Sequence, residues 1–146
     1  MSEAIYSSGE IESLKSALGA DQDGTGFLGI AKATYDFAVH GGTAGAIGLG
    51  VYIPDNAIIW DGCADIITAF VSTGGAGTVA LHLQSANDLI NAVDADTLSG
   101  VEALVVDGTA ANAFKLTAKR ELTLTIASQN MTAGKATFFI HYMLSD

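Results

Sequence analysis

Lys135-Ala-Thr-Phe-Phe-Ile-His-Tyr-Met-Leu144 is the stretch whose reading decides the fold. With the two-residue period of a strand, Phe138, Ile140, Tyr142 and Leu144 fall on one face, and Phe139, His141 and Met143 on the other. Both faces carry large apolar groups, so the strand either lies beneath other structure on both sides or gives one face to a subunit interface. Phe139 and Met143 are therefore candidates for a contact between subunits. Oligomerisation follows as an expectation.

Working outward, the same alternation recurs. Glu121 to Ala127 and Ala113 to Ala118 read as strands, with a further short one at Ala103 to Val106. Asn87 to Val93 reads as one or two helical turns. Thr78 to Gln84 alternates with Val79, Leu81 and Leu83 inward. Ala57 to Trp60 and Asp65 to Val71 read as two strands, and Ser72-Thr-Gly-Gly-Ala-Gly77 as a hairpin connection, its glycines permitting positive φ. Leu49, Val51 and Ile53 share a face before Pro54-Asp-Asn56 turns the chain. In Thr34 to His40, Tyr35, Phe37 and Val39 face one way and Asp36 and His40 the other. Short strands with turns at this spacing predict an all-β sandwich or jelly-roll-like domain over residues 34–146.

Composition changes near residue 33, which divides that sandwich from an N-terminal arm over residues 1–33. Ser7 and Glu10 fit a capping box, and Ile11, Leu14 and Leu18 then share one face of a short helix that Gly19 stops. At under three turns such a helix is marginal alone in water, so its apolar face needs a dock. That dock is either its own sandwich or a neighbouring molecule.

The chain has 146 residues and a formal net charge of -10, from six Lys and Arg against sixteen Asp and Glu. That balance disfavours nucleic acid, which is bound by neutralising phosphates with cations. It suits instead solubility at high local concentration, or a basic protein partner. A lone cysteine, Cys63, gives no internal disulfide and no cysteine-rich zinc site. Met1 to Gly19 has neither a basic region nor a continuous apolar core, so no secretory signal is expected. The apolar stretches are interrupted well before the about 18 residues a membrane span needs.

The chemistry-bearing candidates are few. Asp21-Gln-Asp-Gly-Thr-Gly26 imitates the start of a calcium loop, but the twelfth position is Lys32 and the ninth Gly29, which reads as an Asp/Gly turn. Gly45-Ala-Ile-Gly-Leu-Gly50 resembles a phosphate-cradling loop without the helix that must follow it, and reads as a flexible strand connection. His40, His82 and His141 fall on strands with no ligand spacing, so no metal is assigned. No Gly-x-Ser-x-Gly elbow is present, and the Asp94/Asp96 and Asp21/Asp23 pairs sit among turn residues rather than in an apolar pocket. No enzyme and no cofactor is expected.

Ala33-Thr-Tyr-Asp-Phe-Ala-Val-His-Gly-Gly42, Leu49-Gly-Val-Tyr-Ile-Pro-Asp-Asn-Ala-Ile-Ile-Trp60, the Ser/Thr/Gly/Ala hairpins, Leu122-Thr-Leu-Thr-Ile-Ala127 and Met131-Thr-Ala-Gly-Lys-Ala-Thr-Phe-Phe-Ile-His-Tyr142 together span most of residues 33–144. In this order they resemble the head decoration, or cement, proteins of tailed bacteriophages. The resemblance implies a jelly-roll-like sandwich in a homotrimer on the outer surface of an icosahedral capsid, made in the host cytoplasm. Its arm, with Ile11, Leu14 and Leu18, and one rim would touch the major capsid protein. It carries no catalytic residue. A receptor- or glycan-binding head of a tail fibre or spike uses similar trimeric sandwiches and is the alternative. The long repetitive stalk that normally precedes such a head is absent from these 146 residues.

Overall fold

The computed structural model describes residues 27–106 and 113–145. The arm helix with Ile11, Leu14 and Leu18, and the turn at 21–26, lie outside the described residues. The chain runs β1 (Phe27–Asp36), a helical turn α1 (Phe37–His40), β2 (Gly45–Ile53), β3 (Ala57–Ser72), β4 (Thr78–His82), β5 (Ile90–Asp94), a 3-10 turn (Ala95–Thr97), β6 (Val101–Ala103), β7 (Phe114–Lys115), β8 (Arg120–Ala127) and β9 (Met131–Leu144). Sheet A has the order β1-β9-β3-β6, with β7 also on β3, and sheet B the order β2-β8-β4-β5. The pairings nest: β1 with β9, β2 with β8, β3 with β6, β4 with β5, all antiparallel. Nested pairs that alternate between two sheets make a jelly roll. The expected all-β sandwich is the observed fold.

The inward residues of both sheets form the core. Ile59 and Ile140 of sheet A, and Leu81, Leu122, Leu124 and Ile126 of sheet B, are buried between them. Alternation thus read the inward face of β4 correctly, and in β9 it separated the buried Phe138 and Ile140 from the outward Phe139 and His141. Ends and connections differ from expectation, each for a local reason. β1 begins at Phe27, so residues 27–33 are strand, paired from Phe27↔Leu144 to Asp36↔Lys135. The calcium-loop imitation therefore runs into β1, where Gly29 pairs with Tyr142 and Lys32 with Phe139.

The strand stops at Asp36 because its carboxylate accepts from the Ala38 amide at 2.9 Å and caps α1. Val39, expected inward, is exposed on that turn. Ala57 to Trp60 and Asp65 to Val71 are one strand, not two. The break suggested by Asp61-Gly62 is a bulge in which Trp60 is the extra residue between the pairs Ile59↔Tyr142 and Asp61↔His141. Gly62 is required there, since a Cβ would lie 2.6 Å from the Phe139 carbonyl oxygen.

Residues 73–77 are not a hairpin, because β3 and β4 belong to different sheets. They form a crossover held by Gln129, whose Oε1 accepts from the Gly74 amide at 2.7 Å and the Ala76 amide at 3.1 Å. Ile90–Asp94 is strand β5 rather than helix, since Val79 pairs with Val93 and Leu81 with Ile90. The strand expected at 103–106 lies instead at Val101–Ala103, and the one expected at 113–118 shrinks to Phe114–Lys115.

Tyr35 locks the end of β1. Its hydroxyl donates to the Gly41 carbonyl at 2.7 Å and its ring stacks on Phe70 at 5.6 Å. Burial, and then the neighbouring Asp36 charge, push the phenol above its ordinary value. A raised pKa means the folded state keeps a proton that the unfolded chain has lost. The stability from Tyr35 is therefore complete below the unfolded value near pH 10 and falls as pH rises beyond it. Tyr35→Phe is expected to cost about 1 kcal/mol at neutral pH. Denaturant titrations above about pH 10 should then show a shallower decline for the variant than for the parent.

Candidate interaction face

Register puts the outward residues of sheet A side by side. On β1 these are Leu28, Ile30 and Lys32; opposite them on β9 lie Met143, His141 and Phe139; beyond β9, on β3, lie Ile58, Asp61 and Cys63. Leu28 is 66% exposed, Ile30 62%, Trp60 43% and Met143 37%. Single exposed apolar residues mean little, but four large ones on adjacent strands make a patch. The bulge turns Trp60 onto this face, where its ring stacks on His141 with centroids 5.4 Å apart. The Nδ1 atom of His141 is buried there and meets no hydrogen-bond partner among the described residues. Lys32 holds its ammonium 5.9 Å above the Phe139 ring, a cation–π contact at the far end of the patch.

Phe139 and Met143, read from the sequence as interface candidates, both lie on this outward face. Met143 is exposed and Phe139 half-buried. Alternation alone missed Leu28, Ile30 and Trp60. The first two were counted with the arm, although the pattern Leu28-Gly-Ile30-Ala-Lys32 was the signal that could have found them. Trp60 needed the bulge, which only the register reveals.

Elsewhere the tempting motifs resolve into scaffolding. Gly45 to Gly50 lies within β2, and the amide that a phosphate would need at Gly50 donates instead to Glu121 Oε2 at 2.9 Å. His82 sits on the outer face of sheet B and His141 on that of sheet A, while His40 stacks on Tyr35 in α1. Among the described residues no group of three or more His, Cys, Asp or Glu side chains could hold a metal. Asp94 caps the 3-10 turn through the Asp96 amide, and Asp96 accepts from the Ser72 amide at 3.0 Å. A cavity of about 200 Å³ opens between β5 and β6, walled by Leu89, Ile90, Val93, Leu98 and Val105. Asn91 and Glu102 are its polar neighbours, too few to fix a polar ligand.

No protein-family model matches the sequence, and no curated protein matches it significantly. Solved structures share the fold. A chain of the acidic stable capsid structure of Helicobacter pylori bacteriophage KHP30 superposes with a TM-score of 0.59 at 14% identity, over 82% of this chain and 89% of that one. A chain of the cyanophage Pam1 capsid asymmetric unit gives 0.57 at 17% identity, over 82% and 86%. A chain of the capsid of Ralstonia phage GP4 gives 0.59 at 19% identity, over 81% and 86%. At such identities the likeness is one of fold.

Proposed function

We propose that the chain is a capsid decoration protein of a tailed phage, bound to the outer surface of an icosahedral head and stabilising it by bridging capsomers. One observation carries the reading: a jelly roll shared with chains of three phage capsids leaves an apolar sheet face that its own described strands do not cover. The major capsid protein is the partner, reached through Ile11, Leu14 and Leu18 of the arm. Phe139 and Met143 lie between subunits of a homotrimer.

The mechanism is adhesive and needs neither a catalytic residue nor a cofactor. An ordinary contact of about 800 Å² per partner gains roughly 20 kcal/mol gross from apolar burial. Lost motion and side-chain ordering offset most of that gain. What remains, repeated over many copies, opposes expansion of the shell. The net charge of -10 keeps free copies apart through self-repulsion before they reach the head.

Immunogold microscopy of particles from the source lysate, with antibody against the recombinant chain, tests the location. Label over heads is expected; label confined to tail tips would favour receptor binding, and unlabelled particles would overturn both. Leu14→Asp with Leu18→Asp should strip the protein from heads, since losing about 3 kcal/mol of apolar burial lowers affinity more than a hundredfold. Unchanged occupancy would reject the arm as the attachment.

A further inference from the structure

We propose that the subunits of the homotrimer join head to tail: Ile30, on the β1 edge of one copy, enters the apolar cavity between β5 and β6 of the next, and Lys32 meets Glu102 in its wall. The inference rests on the trimer of the capsid reading and names the two surfaces that make it.

The two halves lie on opposite flanks of one sandwich. β1 is one edge of sheet A and β6 the other, and β5 is the edge of sheet B beside β6. The Val105 amide, donating to the Leu89 carbonyl at 3.1 Å, ties that second flank together. Ile30 stands exposed on the first flank, and the exposed Val105 lines the cavity on the second. The cavity's 200 Å³ is the share of about six or seven liquid waters. Walls of Leu89, Ile90, Val93 and Leu98 give such waters few partners, so an apolar side chain displaces them favourably.

Register sets both halves at one height. Lys32 pairs with Phe139, Phe139 with Cys63 and Cys63 with Ala103, while Ile30 pairs with His141 and His141 with Asp61. The run continues past β6, where the Leu104 amide donates to the Gly62 carbonyl at 3.1 Å, so Val105 comes level with Asp61 and hence with Ile30. A closed ring is generated by rotation alone. Turned about an axis parallel to the strands, a neighbour therefore brings its Ile30 to Val105 and its Lys32 to Glu102, beside Ala103, in one motion. Within one copy these residues do not meet, since three strand spacings of about 4.8 Å separate β1 from β6. Charge complements the fit: the Lys32 ammonium, carried over the Phe139 ring, faces a flank that presents Glu102 and the exposed Asp65. Phe139, beneath Lys32, and Met143, which pairs with Leu28, border the same contact.

The test disables each half in the full-length chain. Ile30→Asp removes the inserted side chain and leaves the cavity; Val105→Trp fills the cavity from an exposed position and leaves Ile30. Far-UV dichroism checks that each sandwich persists. Either variant alone is expected to raise the concentration at which the trimer dissociates, followed by light scattering, about tenfold or more. Mixed, the two retain one intact contact, and native mass spectrometry is expected to show a one-to-one pair that neither forms alone. Association lost without a mixed pair would mean one surface meeting its own copy, and would overturn the proposal.

Should either variant fail to fold, charge reversal at the surface takes its place. Lys32→Glu and Glu102→Lys are each expected to weaken association about fivefold, and Lys32→Glu/Glu102→Lys together to restore it to within about twofold of the parent. A double reversal that restores nothing would overturn the proposal. A trimer that no variant moves would defeat this contact and leave the trimer standing. A parent chain monomeric at every concentration would defeat both, while gold label over heads would still uphold the capsid location.

Discussion

Phe138→Ala is expected to lower the free energy of unfolding by about 3 to 5 kcal/mol, and Phe139→Ala by only about 1 kcal/mol. The two residues are chemically identical neighbours on β9, so the difference isolates the face each occupies. Phe138 is 2% exposed between the sheets, where truncation loses transfer energy and leaves a cavity that a rigid sandwich collapses poorly. Phe139 lies outward under the Lys32 ammonium, where solvent fills the space a truncation vacates. Denaturant titration should show the midpoint of Phe138→Ala falling steeply with an unchanged slope. Association, followed by light scattering, should weaken in Phe139→Ala and not in Phe138→Ala. Equal destabilisation by the two would mean that the outward face of β9 is already covered.

That pair of residues also shows why the fold was legible. A residue such as Ile140 or Leu124 is held inward by a two-sheet core, and a period of two is the direct imprint of that constraint on the sequence. The imprint fades where a local hydrogen bond overrides it. Val39 alternates correctly with Tyr35 and Phe37, yet the Asp36 carboxylate caps a helical turn and throws it into solvent. Asp61-Gly62 looks like a strand end because bulges and ends use the same residues; only the β9 partner distinguishes them.

The candidate face was legible in half. Phe139 and Met143 advertise themselves, as large apolar residues on the second face of a strand already satisfied on its first. Leu28 and Ile30 do not, because the glycines around them disguise a strand as a linker. They join the patch only when the register sets Leu28 beside Met143 and Ile30 beside His141. A surface made from both ends of the chain has no local signature.

Asp88→Ala is expected to cost about 3 kcal/mol, through a residue that looks unremarkable in the sequence. Its side chain is 3% exposed and accepts from the Leu83 amide at 2.8 Å, the Gln84 amide at 2.9 Å and the Ser85 amide at 2.8 Å. Removing the carboxylate leaves three donors facing a space that its own bulk had filled. Charge-assisted bonds of this kind are worth about 1.5 to 3 kcal/mol each, but water recovers part of the loss at the two less buried amides. The loop also seats Leu89, whose amide donates to the Leu81 carbonyl and whose carbonyl accepts from the Val105 amide, both at 3.1 Å. Loosening it should therefore raise amide exchange at Leu83, Leu89 and Val105 while Trp60 emission on the opposite side of β3 stays unchanged. Asp88→Asn keeps one acceptor oxygen and should lose about half as much. A cost under about 1 kcal/mol for Asp88→Ala would mean that water replaces the carboxylate, and that the β5 edge is held by Leu89 packing alone.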